Sequence, residues 1–215
     1  MEITWYGHSC FRLTERGLAT VVTDPFDSSV IGYEPLKLKA DIVTVSHEAP
    51  GHNFTSAVKG GPHVISGAGE YEIGSVFITG VQTDTNGKKV ADKPRNTLYV
   101  FDYEGLNVAH LGDLRQAPSQ SEIEALGTVN VLLIPVGGGQ ALNAATAAEV
   151  VSMIEPNIVI PMHYATKDVN IQLEPLGKFL KEMGLTSHET QPSLKITRSG
   201  LPEETRVVVL DYQTS

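Results

Sequence analysis

The stretch Ile42-Val-Thr-Val-Ser-His47-Glu-Ala-Pro-Gly-His52-Asn-Phe54 decides how the rest of the chain is read. Its β-branched apolar run, Ile42 to Val45, has the composition of a buried strand. The run ends in a turn-forming segment that carries two histidines. Pro50 and Gly51 between them exclude a regular helix, so the imidazoles are not an i, i+4 pair on one helical face. They sit on a loop at a strand exit, where open sheets present ligands and reactive groups. Two isolated surface histidines would be the bland alternative. Recurrence argues against it. The strand at 20–23 ends in Asp24, that at 106–111 contains His110 and ends in Gly112-Asp113, and that at 157–162 ends in His163. Imidazole and carboxylate delivered to one place are a ligand set that suits zinc, iron or manganese.

Outward from that loop, the N-terminal half reads as strands. Residues 2–14 form two, broken near Gly7-His8, and further β character is expected at 63–66, 71–82, 97–103 and 106–111. Residues 27–40 and 83–94 read as loops, the second too hydrophilic for a core. The second half alternates. Ser119–Leu126 opens on a serine N-cap with Glu122 behind it, and Val129–Val136 is a buried strand leading into Gly137-Gly138-Gly139. No Lys-Ser/Thr pair follows those glycines, so they mark a tight turn and not a phosphate loop. Asn143–Ile154 is apolar at helical spacing, with Pro156 beyond its end, and Leu173–Met183 is a second helix closed by Gly184. Short strands at 194–197 and 206–211 finish the chain. Strands first, then strand and helix in alternation, predict one layered α+β or α/β domain over residues 1–215, with two sheets and outer helices.

Bulk properties narrow the partners. A net charge of −9, with no Lys/Arg run longer than a pair, argues against nucleic acid and anionic membrane surfaces. No apolar stretch approaches the roughly 20 residues that span a bilayer, and no signal-peptide pattern is visible. The single cysteine, Cys10, excludes an internal disulfide and fits a reducing cytoplasm. A small-molecule ligand or substrate is the partner these properties leave.

Trp5-Tyr-Gly-His-Ser-Cys-Phe11, Thr23-Asp-Pro-Phe26, Ser46-His47 to Asn53, Ala109-His-Leu-Gly-Asp113, Leu133-Ile-Pro-Val-Gly-Gly138 and Ile160-Pro-Met-His-Tyr164 together resemble the metallo-β-lactamase-fold hydrolases. The nearest branch contains L-ascorbate-6-phosphate lactonase-like and related uncharacterised Zn-dependent hydrolases. The resemblance implies a four-layer αβ/βα sandwich with metal bound at the upper edge of its two sheets. It also implies a defect. The family's H-x-H-x-D-H reads His47-Glu48-Ala49-Pro50-Gly51-His52 here, so its second histidine is Ala49 and its aspartate is Gly51. A third family histidine falls near Thr85. Of the implied ligands, His47, His52, Asp113 and His163 remain.

Ligand counting follows from that resemblance. The first family site keeps one of three histidines, whereas the second keeps His52, Asp113 and His163. A catalytic zinc functions with three protein ligands. One zinc, iron or manganese ion at most is therefore implied, with His47 nearby and no two-metal clamp. Asp113 and Glu48 are the candidate catalytic carboxylates, Glu48 being the one near the lost aspartate. Asp24 is expected to hold the loop by hydrogen bonds, His110 to be packed or behind the ligands, and His8 to lie behind the ligands, to contact substrate or to be structural. Cys10, between apolar neighbours, reads as core rather than nucleophile. Two readings stay open: a metal-dependent hydrolase of an ester, lactone or phosphoester, and a non-catalytic relative that uses the same cavity to bind a ligand or partner.

Overall fold

β-Branched and aromatic runs punctuated by glycine turns build the first half of the chain into short strands. The structure is a computed structural model and describes residues 1–83 and 95–214. In chain order the first elements are β1 (Glu2–Trp5), β2 (Phe11–Thr14), β3 (Val21–Thr23), α1 (Ser28–Ile31), β4 (Leu38–Lys39), β5 (Ile42–Val45), β6 (Val58–Lys59) and β7 (His63–Ser66). An antiparallel meander follows, β8 (Gly69–Ile73), β9 (Val76–Gln82), β10 (Thr97–Tyr103) and β11 (Leu106–His110). Then come α2 (Gln120–Leu126), β12 (Val131–Pro135), α3 (Ala144–Ile154), β13 (Ile158–Met162) and α4 (Leu176–Glu182). The chain closes with β14 (Thr190–Gln191), β15 (Leu194–Lys195), β16 (Arg206–Val207) and β17 (Val209–Leu210). The expected α+β layering is what the chain adopts.

Two mixed sheets pack face to face, one ordered β15-β1-β2-β3-β5-β7 and the other β16-β13-β12-β11-β10-β9-β8. In the first, β3, β5 and β7 are parallel; in the second, β11, β12, β13 and β16 are. Parallel neighbours leave their sheet by the same edge, which is why the strand-end residues meet. β2 runs antiparallel to β3 with Phe11 opposite Thr23, so the β1–β2 turn bearing His8 reaches that edge too. Three bonds join the segments there: Thr97 N–H to Ser46 O at 2.8 Å, Asp113 N–H to Asn96 Oδ1 at 2.8 Å, and His163 N–H to His8 O at 3.1 Å.

The central strands β3 and β5 of the first sheet are buried on both faces. Val21 and Ile42 enter the core between the sheets, whereas their neighbours Val22 and Val43 enter a second cluster with Phe26, Ile31, Tyr33 and Leu36. That double burial explains why β5 has no polar–apolar alternation. On β10, Tyr99 and Tyr103 face inward and reach across the sandwich. The buried Tyr99 hydroxyl lies 3.1 Å from Val45 O and accepts from Gly67 N–H at 2.9 Å. Tyr99→Phe removes both partners at once and is expected to cost about 1–3 kcal/mol, read as a lower urea midpoint at unchanged m. A midpoint equal to the parent's would show that the hydroxyl holds nothing together.

Local differences from the sequence reading have local causes. The 27–40 segment contains α1, capped by Asp27 accepting from Ser29 N–H, and β4. The 71–82 stretch is a hairpin turned at Gly74-Ser75, both with positive φ. The helix expected from Leu173 starts at Leu176, because Pro175 is extended at its N-cap. Residues ahead of it pair instead, Glu174 N–H donating to Gly137 O at 2.7 Å. The 206–211 stretch splits, β16 joining β13 and β17 joining β14. The Ser119 cap is as expected, with a full capping box to Glu122. Among the described residues no helix is long and apolar enough to cross a membrane.

Candidate metal centre

Five of the seven histidines are buried: His8, His47, His52, His110 and His163. Four of these meet at the shared sheet edge, and Asp24 organises two of them. Its Oδ1 accepts from Ser46 N–H at 2.7 Å, and its Oδ2 accepts from Ser46 Oγ–H at 2.6 Å and from His52 Nδ1 at 2.8 Å. Burial pushes the Asp24 carboxyl up, but the bond and charge of His52, the charge of His110 and the bond from Ser46 outweigh it, leaving a lowered pKa. Ser46 spends its one hydroxyl proton on Asp24, so its oxygen accepts from His47 Nδ1 at 3.1 Å. The network thus assigns the proton to Nδ1 on both His47 and His52. Each turns its Nε2 lone pair to the interior of the site.

His8 and His163 complete the cluster from the far sides. Both have left-handed backbones, φ 50 and 53, and they are tied together by the His163 N–H to His8 O bond. His8 Nε2 lies 3.2 Å from His52 Nε2, and the His8 and His163 ring centroids are 4.3 Å apart. Asp113 places Oδ1 3.5 Å from His163 Nε2, and Oδ2 3.9 Å from His47 Nε2 and 3.7 Å from an Arg115 nitrogen. Burial lowers His47 and His163 to about 4, with the charge of His52 adding to it and Asp113 opposing it. Burial, then the charges of His163, His52 and His47, holds His8 well below the usual imidazole value. Neutral imidazoles near pH 7 are the form that binds metal.

A cavity of about 350 Å³ opens over this cluster, walled by Ile31, Ile171 and Leu173 and edged by Arg115, Gln140 and Gln172. A larger hollow of about 860 Å³ lies by Met1, Arg12, Glu15 and Lys195, and no buried histidine lines it. The chemistry belongs to the smaller one. Its donors fit a metal ion on their own evidence. Asp113 Oδ1, buried beside His163 Nε2, has no hydrogen-bond partner, a costly condition unless something else satisfies it. Two triads, His8–His52–His163 and His47–His52–Asp113, bring one donor atom from each residue within 4.8 Å of the others.

Of the residues singled out from sequence, His47, His52, Asp113 and His163 come together, with His8 among them and Asp24 behind. Glu48 does not join them, and the expectation that it supplies a catalytic carboxylate is corrected. It is exposed, and its Oε2 accepts from Asn53 Nδ2 at 2.7 Å, because the turn after His47 points it away from the cavity. His110 is a packed histidine, its Nε2–H donating to Ser9 O at 2.9 Å and its Nδ1 accepting from Gly112 N–H at 3.2 Å. Cys10 is fully buried, and burial raises its thiol pKa well above the ordinary value, consistent with core. Thr85 lies outside the described residues. The sequence reading missed Arg115, Ser46 and Asn96; only Arg115, two positions past Asp113, carried a charge that could have flagged it.

A family model described as the beta-lactamase superfamily domain matches residues 2–163. The chain belongs to the metallo-β-lactamase superfamily. Within it, a UPF0173 protein of Pyrococcus furiosus is 32% identical over 189 residues, covering 77% of this chain and 84% of the relative. A UPF0173 metal-dependent hydrolase of Thermoplasma acidophilum is 29% identical, covering 81% and 88%. A solved structure from Thermotoga maritima, described as a candidate Zn-dependent hydrolase of the metallo-β-lactamase superfamily, superposes with a TM-score of 0.79 at 38% identity over 97% of both chains. The two-sheet sandwich with its edge cluster is thus the metallo-β-lactamase fold, in a family of metal-dependent hydrolases.

Proposed function

We propose that this chain is a metallo-β-lactamase-fold hydrolase with a depleted, single-ion centre drawing on His47, His52, Asp113 and His163. One observation carries the reading: both buried triads need His52, and Asp24 already takes its Nδ1. One free nitrogen binds one ion. Ala49 and Gly51 add no donor to the loop. When bound, such an ion supplies Lewis acidity, polarising an ester, lactone or phosphoester oxygen and lowering the pKa of water. The protein's own groups do the rest. Arg115, beside Asp113 at the cavity edge, offers its guanidinium to an anionic substrate oxygen. Ile31, Ile171 and Leu173 supply the large apolar side chains of the lining. A cavity of about 350 Å³ suits a small molecule.

The outward turn of Glu48 supports the second reading, a non-catalytic relative. It leaves Asp113 as the one carboxylate lining the cavity among the described residues. Metal analysis of protein purified without a chelating tag separates the two, read with hydrolysis of chromogenic esters, lactones and phosphodiesters. About one zinc, iron or manganese ion per chain is expected, with none in His163→Ala. Protein that takes up no ion even after soaking is not a metal-dependent hydrolase. Protein that holds one ion but turns over none of these substrates fits the ligand-binding relative.

A further inference from the structure

We propose that His8 is itself a ligand, so that the ion of this chain sits in a three-histidine site formed by His8, His52 and His163. This rests on the single-ion reading above and specifies which side chains hold it. The first observation is spatial. A Cβ at position 51 would lie 2.9 Å from His8 Nε2 and 3.3 Å from His8 Cδ2, so the glycine leaves open the volume that the His8 ring enters. No side chain from the 47–52 loop separates the His8 ring from His52.

The second observation is the spacing of the donors. Two nitrogens held at about 2.0–2.1 Å by one tetrahedral zinc stand about 3.3–3.4 Å apart. His8 Nε2 and His52 Nε2 are 3.2 Å apart, with the His163 ring against His8 and its donor within the same group. The third concerns protons. His52 Nδ1–H is given to Asp24, so His52 Nε2 is a lone pair and the metal-free His8 must donate its own Nε2 proton to it. His8 Nδ1 and His163 Nδ1 have no partner of their own, so no bond at Nδ1 fixes either ring's tautomer and Nε2 of each is open to serve as the lone-pair donor. The backbone enforces the arrangement. His8 and His163 both occupy left-handed conformations, which ordinary residues avoid, and the bond between them holds the two turns in place. In the competing triad, Asp113 and His47 stand 3.9 Å apart and Arg115 draws on the same carboxylate oxygen.

Zinc affinity, measured by competition with a chromophoric chelator, and the visible spectrum of the cobalt(II)-loaded protein test this. His8→Asn keeps a residue that tolerates positive φ, and circular dichroism verifies its fold. It is expected to lose more than about 100-fold in zinc affinity, beyond the 10–100-fold span of a residue acting from behind a ligand, and to alter the cobalt bands. Gly51→Ala touches no donor but intrudes on His8, and is expected to weaken zinc by roughly tenfold or more. His47→Ala is expected to weaken zinc by less than His8→Asn does, because its Nε2 stands 3.9 Å from Asp113 and outside the three-histidine set. If the parent binds one ion and His8→Asn matches it in affinity and spectrum, the proposal fails and the single-ion reading stands. If His47→Ala loses the ion while His8→Asn keeps it, the ion belongs to the other triad. A parent that binds no ion overturns both.

Discussion

Asp24→Asn is expected to cut zinc affinity by about 100-fold and to destabilise the metal-free fold by about 3–5 kcal/mol. The size follows from who donates to Asp24. All three of its partners are donors: Ser46 N–H, Ser46 Oγ–H and His52 Nδ1–H. An asparagine has one acceptor oxygen, and its NH₂ group would face at least one of those donors in a fully buried position. The damage spreads through protons. Freed from Asp24, Ser46 Oγ–H can donate to His47 Nδ1, which moves the His47 proton onto Nε2, the nitrogen turned to the interior of the site. His52 loses the bond that fixes its ring. Chelator competition reads the first effect, and urea unfolding of the metal-free protein reads the second. An Asn variant within about threefold of the parent in affinity would show that Asp24 does not orient the ligands.

Gly137→Ala is expected to cost about 3 kcal/mol and to lower Tm by roughly 6–12 °C, with loss of metal binding. A Cβ at 137 would lie 2.2 Å from His163 O and 2.7 Å from the Tyr164 Cα. Both are backbone atoms, so no rotamer relieves the overlap. The two strand exits are also pinned to each other, Val136 N–H donating to Met162 O at 3.1 Å, and Glu174 N–H ties the segment ahead of α4 to Gly137 O at 2.7 Å. Relief must come from moving the turn that carries His163. Gly177→Ala is the control: nothing lies within 4 Å of its added Cβ, and it sits in α4, where alanine is favoured over glycine. It is expected to leave metal binding unchanged and stability equal or slightly higher. A Gly137 variant as stable as that control would mean that the close approach of the two exits is not needed.

The donors that form the cluster were legible because each follows a strand whose composition is unmistakable. Val21–Thr23 leads to Asp24, Ile42–Val45 to His47, and Ile158–Met162 to His163. Their convergence was not legible, since it depends on β3 and β5 being parallel in one sheet and β11 and β13 in the other. Glu48 shows the limit at the scale of one residue. Its neighbour His47 is buried and it is exposed, and a turn without regular periodicity gives no rule for which side chain faces in. Leu173 shows the same for an element. It carries a helix-compatible pattern, yet Pro175 and the bond from Glu174 to Gly137 keep it extended, and it becomes cavity wall.

Local pattern alone determined most of the strands, the helices opening at Ser119 and Asn143 and the residue types available as donors, because these follow from short-range preference and burial, while the motif segments from Trp5 to Tyr164 carried the family resemblance. Only the tertiary structure decided the role open to His8. Its ring reaches His52 across 44 positions of chain through the space left at Gly51, and packing across that distance leaves no trace in local sequence.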